Sequence, residues 1–426
     1  MEKSAYKIMR DRVAAYADTI ADERIRKMYL TCFYSSLDTA AEVLDDGTTF
    51  MLTGDIPAMW LRDSSVQVMG YLPHARADEG VARLIRGLLK RQFAYIAMDP
   101  YANAFNKEPN NHGHKDDVTD FDSPYIWERK YEIDSLCYPL WLAQKYARTT
   151  NDYSVFDKEF AVAYGRILDT FVTEQHHDTQ SSYVHSRPKY PQFPSLENGG
   201  KGKPVGYTGL TWNGYRPSDD VCTYGYLIPS NMFAVVVLEW IMANAERTGT
   251  QHETARAAKL VSDIREGLSK YATVTHPVYG KVYAYEVDGL GGVNMMDDAN
   301  VPSLLSLPYL GWCAADDPVY KNTRRFLLSE ENPYYYRGTA GEGIGSPHTP
   351  EGYIWHIGVI MQLLTSTDAT ERKRCFEILL NTDAGCGVMH EGFDCNDPAR
   401  FTREWFCWAN TLFAMAVEHL HDKGEL

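Results

Sequence analysis

The chain predicts an all-α fold, a helical toroid in which helix pairs wrap a central axis and long loops gather at one end. Three observations carry this. About a dozen segments place apolar residues at helical spacing. Long polar loops recur between pairs of those segments. No strand–helix–strand alternation appears, which argues against a doubly wound sheet, and no fixed sequence period appears, which argues against a short-repeat solenoid. A loose multi-helix bundle is the alternative. The 426 residues are read as one domain, 1–426, with ample apolar content for a large core.

Residues 5–30 carry Ile8, Val13, Tyr16, Ile20, Ile25 and Met28 at helical spacing, and 31–45 read as a second helix. Gly54 and Pro57 break 47–65, a helix over about 65–72 follows, and 79–98 is helical again. Residues 99–130, rich in Asn, Asp, His and Pro, form a long loop. Helices are expected over 132–149 and 152–174, and 176–229 is loop-rich. Ser230 fits the N-cap of a helix running to 247, with Gly249 as its stop. A helix over 253–271 and a strand-like stretch at 281–286 come next, then helices over 301–313 and 318–328. Loops at 330–350 and 382–402 flank helices over 351–364 and 369–381, and 403–420 closes the chain.

The formal charge is −15 and no Lys/Arg run exceeds three residues, which argues against nucleic acid or an anionic membrane as partner. The longest apolar stretch, 233–238, is ended by Glu239 and is far too short to span a bilayer. The first twenty residues are charged throughout and lack an apolar export segment, so the cytoplasm is the expected compartment. The eight cysteines are scattered, with no C-x-x-C and no zinc-finger spacing, and read as reduced, mostly buried thiols. The 29 Tyr and 9 Trp suit a carbohydrate site, where sugar C–H faces stack on rings, but suit a large helical core equally.

Chemistry concentrates in the loops. Arg216-Pro217-Ser218-Asp219-Asp220, followed at a short interval by Ile228-Pro229-Ser230-Asn231, sets two adjacent carboxylates between a turn and an apolar helix. Adjacent like charges raise one another's proton affinity, and a carboxyl kept protonated near neutral pH is what a sugar-cleaving enzyme needs as proton donor. Read alone, the segment is also an ordinary solvated turn. Gly54 to Ser65 groups Trp60, Arg62 and Asp63, an arrangement that can grip adjacent sugar hydroxyls, or in which Asp63 merely caps a helix. Glu132 and Asp134 stand at a helix start, where dipole compensation is the simplest role and support of the active site the second. The loop 338–351 offers His348 and Glu351 among glycines, but no phosphate-binding signature follows. His390-Glu391 lies in another loop and is not H-E-x-x-H, so a zinc-protease reading is discounted. The aromatic stretch 401–410 adds ring surface beside it, with Phe406 and Trp408 read as a buried helix face.

Five segments together resemble the motifs of glycoside hydrolase family 125: TGDIPAMWLRDSS, RPSDD followed by YLIPSNMFA, SLLSLPYLGW, GIGSPHTPEGYIW, and MHEGFD followed by FTREWFCWAN. They run from residue 53 to residue 410, nearly the whole chain. The resemblance implies an (α/α)6 barrel with long active-site loops and a metal-independent, cofactor-free, inverting exo-α-1,6-mannosidase acting on N-glycan fragments or manno-oligosaccharides. Carried over by position, Asp219 or Asp220 is the general acid and Glu391 the general base. Trp60, Arg62, Asp63, Glu132, Asp134, Arg216, Asn231, His348 and Glu351 are the candidate substrate contacts. One departure is that the family motif often carries Ser after MHE, where this chain has Gly392. The competing readings are another hydrolase on the same toroid, glucosidase-like or trehalase-like, and a mannoside-binding protein without turnover.

Overall fold

Two kinds of helix alternate along the chain in the computed structural model, which describes residues 6–190 and 195–426. After α1 (Lys7–Ala17), one kind comprises α2 (Glu23–Ser35), α4 (Glu79–Met98), α6 (Lys158–Glu174), α8 (Thr254–Tyr271), α10 (Pro318–Leu327) and α12 (Ala369–Asn381). Each buries one apolar face and leaves the other to solvent, as amphipathic outer helices do. The other kind comprises α3 (Leu61–Val66), α5 (Ile133–Thr150), α7 (Ile228–Ala243), α9 (Leu307–Leu310), α11 (His356–Leu364) and α13 (Cys407–Asp422). These are buried on most sides and form the inner ring.

The ring closes through neighbouring contacts. α3 packs on α5, α5 on α7, α7 on α9, α11 on α13, and α13 returns to α3. The remaining gap is bridged where Ala299, just before α9, lies so close to Gly358 of α11 that a Cβ there would sit 3.1 Å away. The outer helix α2, from the start of the chain, packs on α13 from its end. This is the (α/α)6 toroid.

The two helix kinds begin differently. Five outer helices start on an aspartate whose carboxylate accepts backbone N–H groups of the first turn: Asp22, Asp78, Asp157, Asp317 and Asp368. Inner helices α3, α5, α7, α11 and α13 start on extended Trp60, Glu132, Leu227, Trp355 and Phe406, none of which caps with its side chain. Short strands pin these entries instead. Met59–Trp60 pairs with Ala104–Phe105, and Tyr226–Leu227 with Glu286–Val287. Tyr353–Trp355 pairs with Gly392–Asp394, which pairs with Phe401–Thr402. The long loops are therefore held at the inner helices' N-terminal ends, where the helix dipoles present positive potential.

Several boundaries differ from the sequence expectation. The helix expected over 5–30 breaks at Asp18–Asp22 into α1 and α2, with residue 5 outside the described residues. Residues 41–51 form a hairpin rather than helix. Ser230 is no N-cap: α7 starts at Ile228 with Pro229 in its first turn, and the Ser230 hydroxyl is buried. The expected helix over 301–313 shrinks to α9. Asp297 takes the Leu304 and Leu305 N–H groups at 2.9 and 3.0 Å, and Ser303 and Ser306 bond each other's backbone, which competes with helix. Residues 351–355 are turn and strand, so α11 begins at His356. Residues 403–406 likewise precede α13.

Candidate active site

A cavity of about 240 Å³ opens at the end where the inner helices begin. Its polar lining comes from five loops far apart in the chain: Thr53, Arg62 and Asp63 around the start of α3, Ser218 and Asp219 before α7, Asn300 before α9, His348 before α11, and Glu391 and Arg403 before α13. Trp60, Trp355, Phe406 and Trp408 supply ring surface. Three buried polar atoms of the lining have no hydrogen-bond partner among the described residues: the indole N–H of Trp60, Nε of Arg62 and the side-chain oxygen of Asn300. Two donors and an acceptor left open in one ring-walled cavity match a polyol, whose hydroxyls can both accept and donate.

Below the cavity, Arg62 gathers carboxyl groups. Its Nη1 lies 2.6 Å from Glu132 Oε2 and 3.0 Å from Asp134 Oδ2, its Nε 3.5 Å from Asp63, and its Nη2 3.8 Å from Asp219 Oδ1. The Trp408 ring covers the guanidinium at 5.7 Å. One cation faces four acids here, and like charges so close do not all ionise. Burial pushes Glu132 well above the usual carboxylate range, against the pull of Arg62, and the neighbouring Asp219 and Asp134 charges add to the rise. Burial likewise lifts Asp134 and Asp63 to about 6, with Arg62 opposing in both. The cluster therefore holds protons near neutral pH next to Asp219.

Asp219 itself sits in the left-handed region, φ 70°, which Asp tolerates better than most residues. Asn103 fixes it from the 99–130 loop: its amide donates to Asp219 Oδ1 at 3.3 Å and to Glu128 at 3.0 Å. Lys130 holds the Asp219 carbonyl at 3.0 Å. That loop, with its strands, thus buttresses Asp219 from behind the cavity lining.

Asp220 does not line the cavity. It accepts from Ser218 at 3.3 Å and lies 3.6 Å from His348 Nδ1. Ser218 also donates to the buried Asp298 at 2.6 Å. Partial burial draws the His348 imidazole toward its neutral form, but the hydrogen bond and charge of Asp220, with Glu391 and Asp219 behind it, hold it up at about 9. The imidazolium therefore carries its charge at the cavity mouth through neutral pH.

Glu391 faces the cavity from a separate loop, 172 positions after Asp219. Arg403, at φ 51°, reaches it with Nη1 3.8 Å from Oε1. Asp55 and the Thr53 carbonyl anchor that guanidinium at 2.5 and 3.1 Å, and the Phe406 ring lies 4.5 Å away. The backbone of Glu391 is set by His356, whose N–H donates to the Glu391 carbonyl at 3.3 Å. The His356 ring accepts the His390 N–H at 2.9 Å, with Thr382 on its other nitrogen at 2.9 Å. Burial drives this imidazole down to about 3, so it stays neutral.

The sequence profile of the metal-independent α-mannosidases, GH125, matches residues 22–418. The chain belongs to glycoside hydrolase family 125. A metal-independent α-mannosidase of Streptococcus pneumoniae, solved in a non-productive complex with α-1,6-mannobiose, is 46% identical over 99% of both chains, with a TM-score of 0.94. The meiotically up-regulated gene 157 protein of Schizosaccharomyces pombe is 38% identical, over 95% of this chain and 84% of its own. Glucoamylase from Saccharomycopsis fibuligera, at 10% identity and TM-score 0.58, covers 96% of both chains and shares the fold.

In this GH125 chain, Trp60, Arg62, Asp63, Asp219, His348 and Glu391 line one cavity. Five of the expected substrate contacts do not. Glu132 and Asp134 are fully buried, and their burial is the means by which Arg62 is held. Arg216 is buried against Glu286 at 2.6 Å. Asn231 lies inside α7 and serves backbone groups of Thr211 and Leu227. Glu351 is exposed and apart from the cavity. Sequence reasoning missed Asn103, Asn300 and Arg403. Arg403 lay in a quoted motif, whereas the other two carried no local signal. Gly392 sits in the strand next to Glu391, where a Cβ would meet the Trp355 ring at 3.1 Å. Phe406 and Trp408, expected on a buried helix face, are buried and also form the cavity wall.

Proposed function

We propose that this family 125 α-mannosidase removes single non-reducing terminal α-1,6-linked mannose units with inversion of configuration. The observation that carries the reading is one small cavity lined by Asp219 and Glu391, which come from two separate loops. At about 240 Å³ it suits one monosaccharide ring, which fits exo action. Asp219 is the general acid: it faces the cavity, and the protonated carboxyl cluster around Arg62 stands directly behind it. Asp220 instead serves as counter-ion to His348. Glu391 activates the water, oriented by Arg403. In such a mechanism water adds at the anomeric carbon as the glycosidic oxygen leaves with the proton of Asp219, and the two carboxyls stand about 6.5–9.5 Å apart. Trp60 and Asn300 offer an open donor and acceptor for mannose hydroxyls.

The α-1,6 preference draws support from the mannobiose complex of the pneumococcal relative. We assign the whole chain, 1–426, to one catalytic domain acting on N-glycan fragments or manno-oligosaccharides in the cytoplasm, where eight unpaired cysteines would stay reduced. No helix among the described residues is long and apolar enough to cross a membrane. Proton NMR of α-1,6-mannobiose hydrolysis tests the mechanism. β-Mannose forms first if it is right; α-mannose first refutes inversion, and full turnover by Glu391→Gln removes the proposed base.

A further inference from the structure

Asn103 is fully buried and takes no part in the cavity lining, so it touches no sugar. Its side chain is nevertheless bound on three sides. The carbonyl oxygen accepts the Lys130 N–H at 3.1 Å, and the amide nitrogen donates to Glu128 Oε1 at 3.0 Å and to Asp219 Oδ1 at 3.3 Å. These partners fix which way the amide points. The Lys130 N–H needs the oxygen, and the Glu128 carboxylate needs the nitrogen, whose second hydrogen is then left for Asp219.

The group behind the amide stays ionised. Burial works against a charge on Glu128, but Lys130, Arg187 and His114 outweigh it and hold the carboxyl well below its usual range. Arg187 donates to Glu128 Oε2 at 2.7 Å and grips both oxygens of Asp117 at 2.8 and 2.7 Å. Asp117 meets the His185 ring at 3.0 Å, and the other nitrogen of that ring meets the Tyr215 hydroxyl. Tyr215 pairs with Val221 across the turn that carries Asp219. Lys130, 3.6 Å from Glu128, holds the Asp219 carbonyl at 3.0 Å. One buried charge cluster thus fixes the backbone of that turn and, through Asn103, one oxygen of the Asp219 carboxyl.

Arg62 Nη2 approaches the same oxygen, Oδ1, at 3.8 Å. Donors that converge on one oxygen make it the acceptor of a carboxyl group, because a proton placed there would face their hydrogens. We propose that Asn103 is a positioning residue for the general acid: its N–H keeps Asp219 Oδ1 an acceptor, so that Oδ2 carries the proton that passes to the glycosidic oxygen. The inference rests on the reading of Asp219 as that acid. In the reaction the Oδ2–H bond breaks as the bond between the anomeric carbon and the glycosidic oxygen breaks, and the departing sugar keeps the proton as a new hydroxyl. Glu391 takes the proton of the attacking water; solvent then removes it and returns one to Asp219. Without the amide hydrogen, the carboxyl is free to carry its proton on either oxygen and to turn about its Cβ–Cγ bond.

The test measures kcat and KM on α-1,6-mannobiose and on a dinitrophenyl α-mannoside for two variants. Asn103→Leu fills the same space without a donor, and the smaller Asn103→Ser covers the case in which the leucine misfolds. Misplacing a catalytic group costs about 10²-fold, so kcat on mannobiose should fall by about that factor with KM nearly unchanged. Turnover of the aryl mannoside, whose leaving group needs no proton, should hold. Added to Asp219→Asn, either substitution should cost nothing further on mannobiose, since it acts through a carboxyl already removed. An equal loss on both substrates, the mark of a merely structural role, overturns the proposal. So does no loss on either, or a further loss on top of Asp219→Asn. Full mannobiose turnover by Asp219→Asn refutes the acid assignment and the proposal with it, whereas a wild type that cleaves no mannobiose refutes the mannosidase reading, so the failures are distinct.

Discussion

Asp219 and Asp220 are neighbours in sequence with opposite surroundings, and separate Asn substitutions should expose the difference. Asp219→Asn removes a proton donor at the cavity, a loss of about 10²–10⁴ in rate, or about 3–5 kcal/mol of barrier. The loss should be full on mannobiose, whose leaving alkoxide needs the proton. It should be far smaller on an activated aryl α-mannoside, whose phenolate leaves unaided. Asp220→Asn acts through His348. The imidazolium is held at about 9 by burial opposed and outweighed by Asp220 3.6 Å away. Against an ordinary value of about 6.5 that hold is about 2.5 pH units, and solvent at the cavity mouth screens it to an energy of roughly 1–2 kcal/mol. The variant should therefore keep most of its rate at pH 5.5 and lose it as pH rises through about 7, equally on both substrates. Initial rates from pH 5 to 9.5 on mannobiose and a dinitrophenyl mannoside check both. A leaving-group-dependent loss in Asp220→Asn, or mannobiose turnover retained in Asp219→Asn, would reverse the assignment.

Four further outcomes follow from the same geometry. Arg62→Met leaves buried carboxyls without their cation and should cost about 3–5 kcal/mol in urea unfolding at pH 8. The cost should shrink at pH 5, because Asp63 and Asp134, lifted to about 6, then hold protons. Asp297 is buried and lifted to about 8, above its unfolded value, so its contribution to stability is greatest below about pH 4 and falls as pH rises through 8. Asp297→Asn, which keeps an acceptor for only one of the Leu304 and Leu305 N–H groups and lowers stability at every pH, should flatten that decline in thermal melts between pH 6 and 9. The His348–Asp220 pair has the opposite chemistry: a raised imidazole stabilises fully below about pH 6.5, and that part is lost as pH rises through about 9. Asp55→Ala frees Arg403 from its 2.5 Å anchor and should lower kcat about tenfold with KM nearly unchanged, since the base is disturbed and the hydroxyl contacts are not.

The outer ring was legible because its signals are local. Amphipathic spacing and an aspartate at the start specify α4 and α12 within a residue, and the same pair of signals recurs before α6 and α10. The inner ring was read less well. Its helices are apolar on most sides and begin on Trp, Leu or Phe, so neither amphipathic spacing nor a cap marks where α7, α11 and α13 start. The site divides in the same way. Asp219, Glu391, Arg62 and His348 stand in recognisable motifs, but their partners are chosen by closure of the ring. Asn103 reaches Asp219 from 116 positions away, and Asp55 reaches Arg403 from 348. Glu132 and Asp134 looked like helix-dipole compensation. Their carboxyls do sit in the first turn of α5, yet both point at Arg62.

That double duty explains why so acidic a site tolerates burial. Inner helices without side-chain caps bring their N-terminal dipoles to one end, and a single guanidinium cannot neutralise Asp63, Glu132, Asp134 and Asp219 by itself. The remaining balance comes from protons. Capping the inner helices with aspartate, as in the outer ring, would spend the dipoles on local contacts and leave the cluster more dependent on protonation. Leaving them open lets the dipoles and Arg62 favour anions while burial favours neutral acids, and the two tendencies meet near neutral pH. The uncapped entry of the inner helices and the crowding of carboxyls at Arg62 are thus two sides of one electrostatic arrangement.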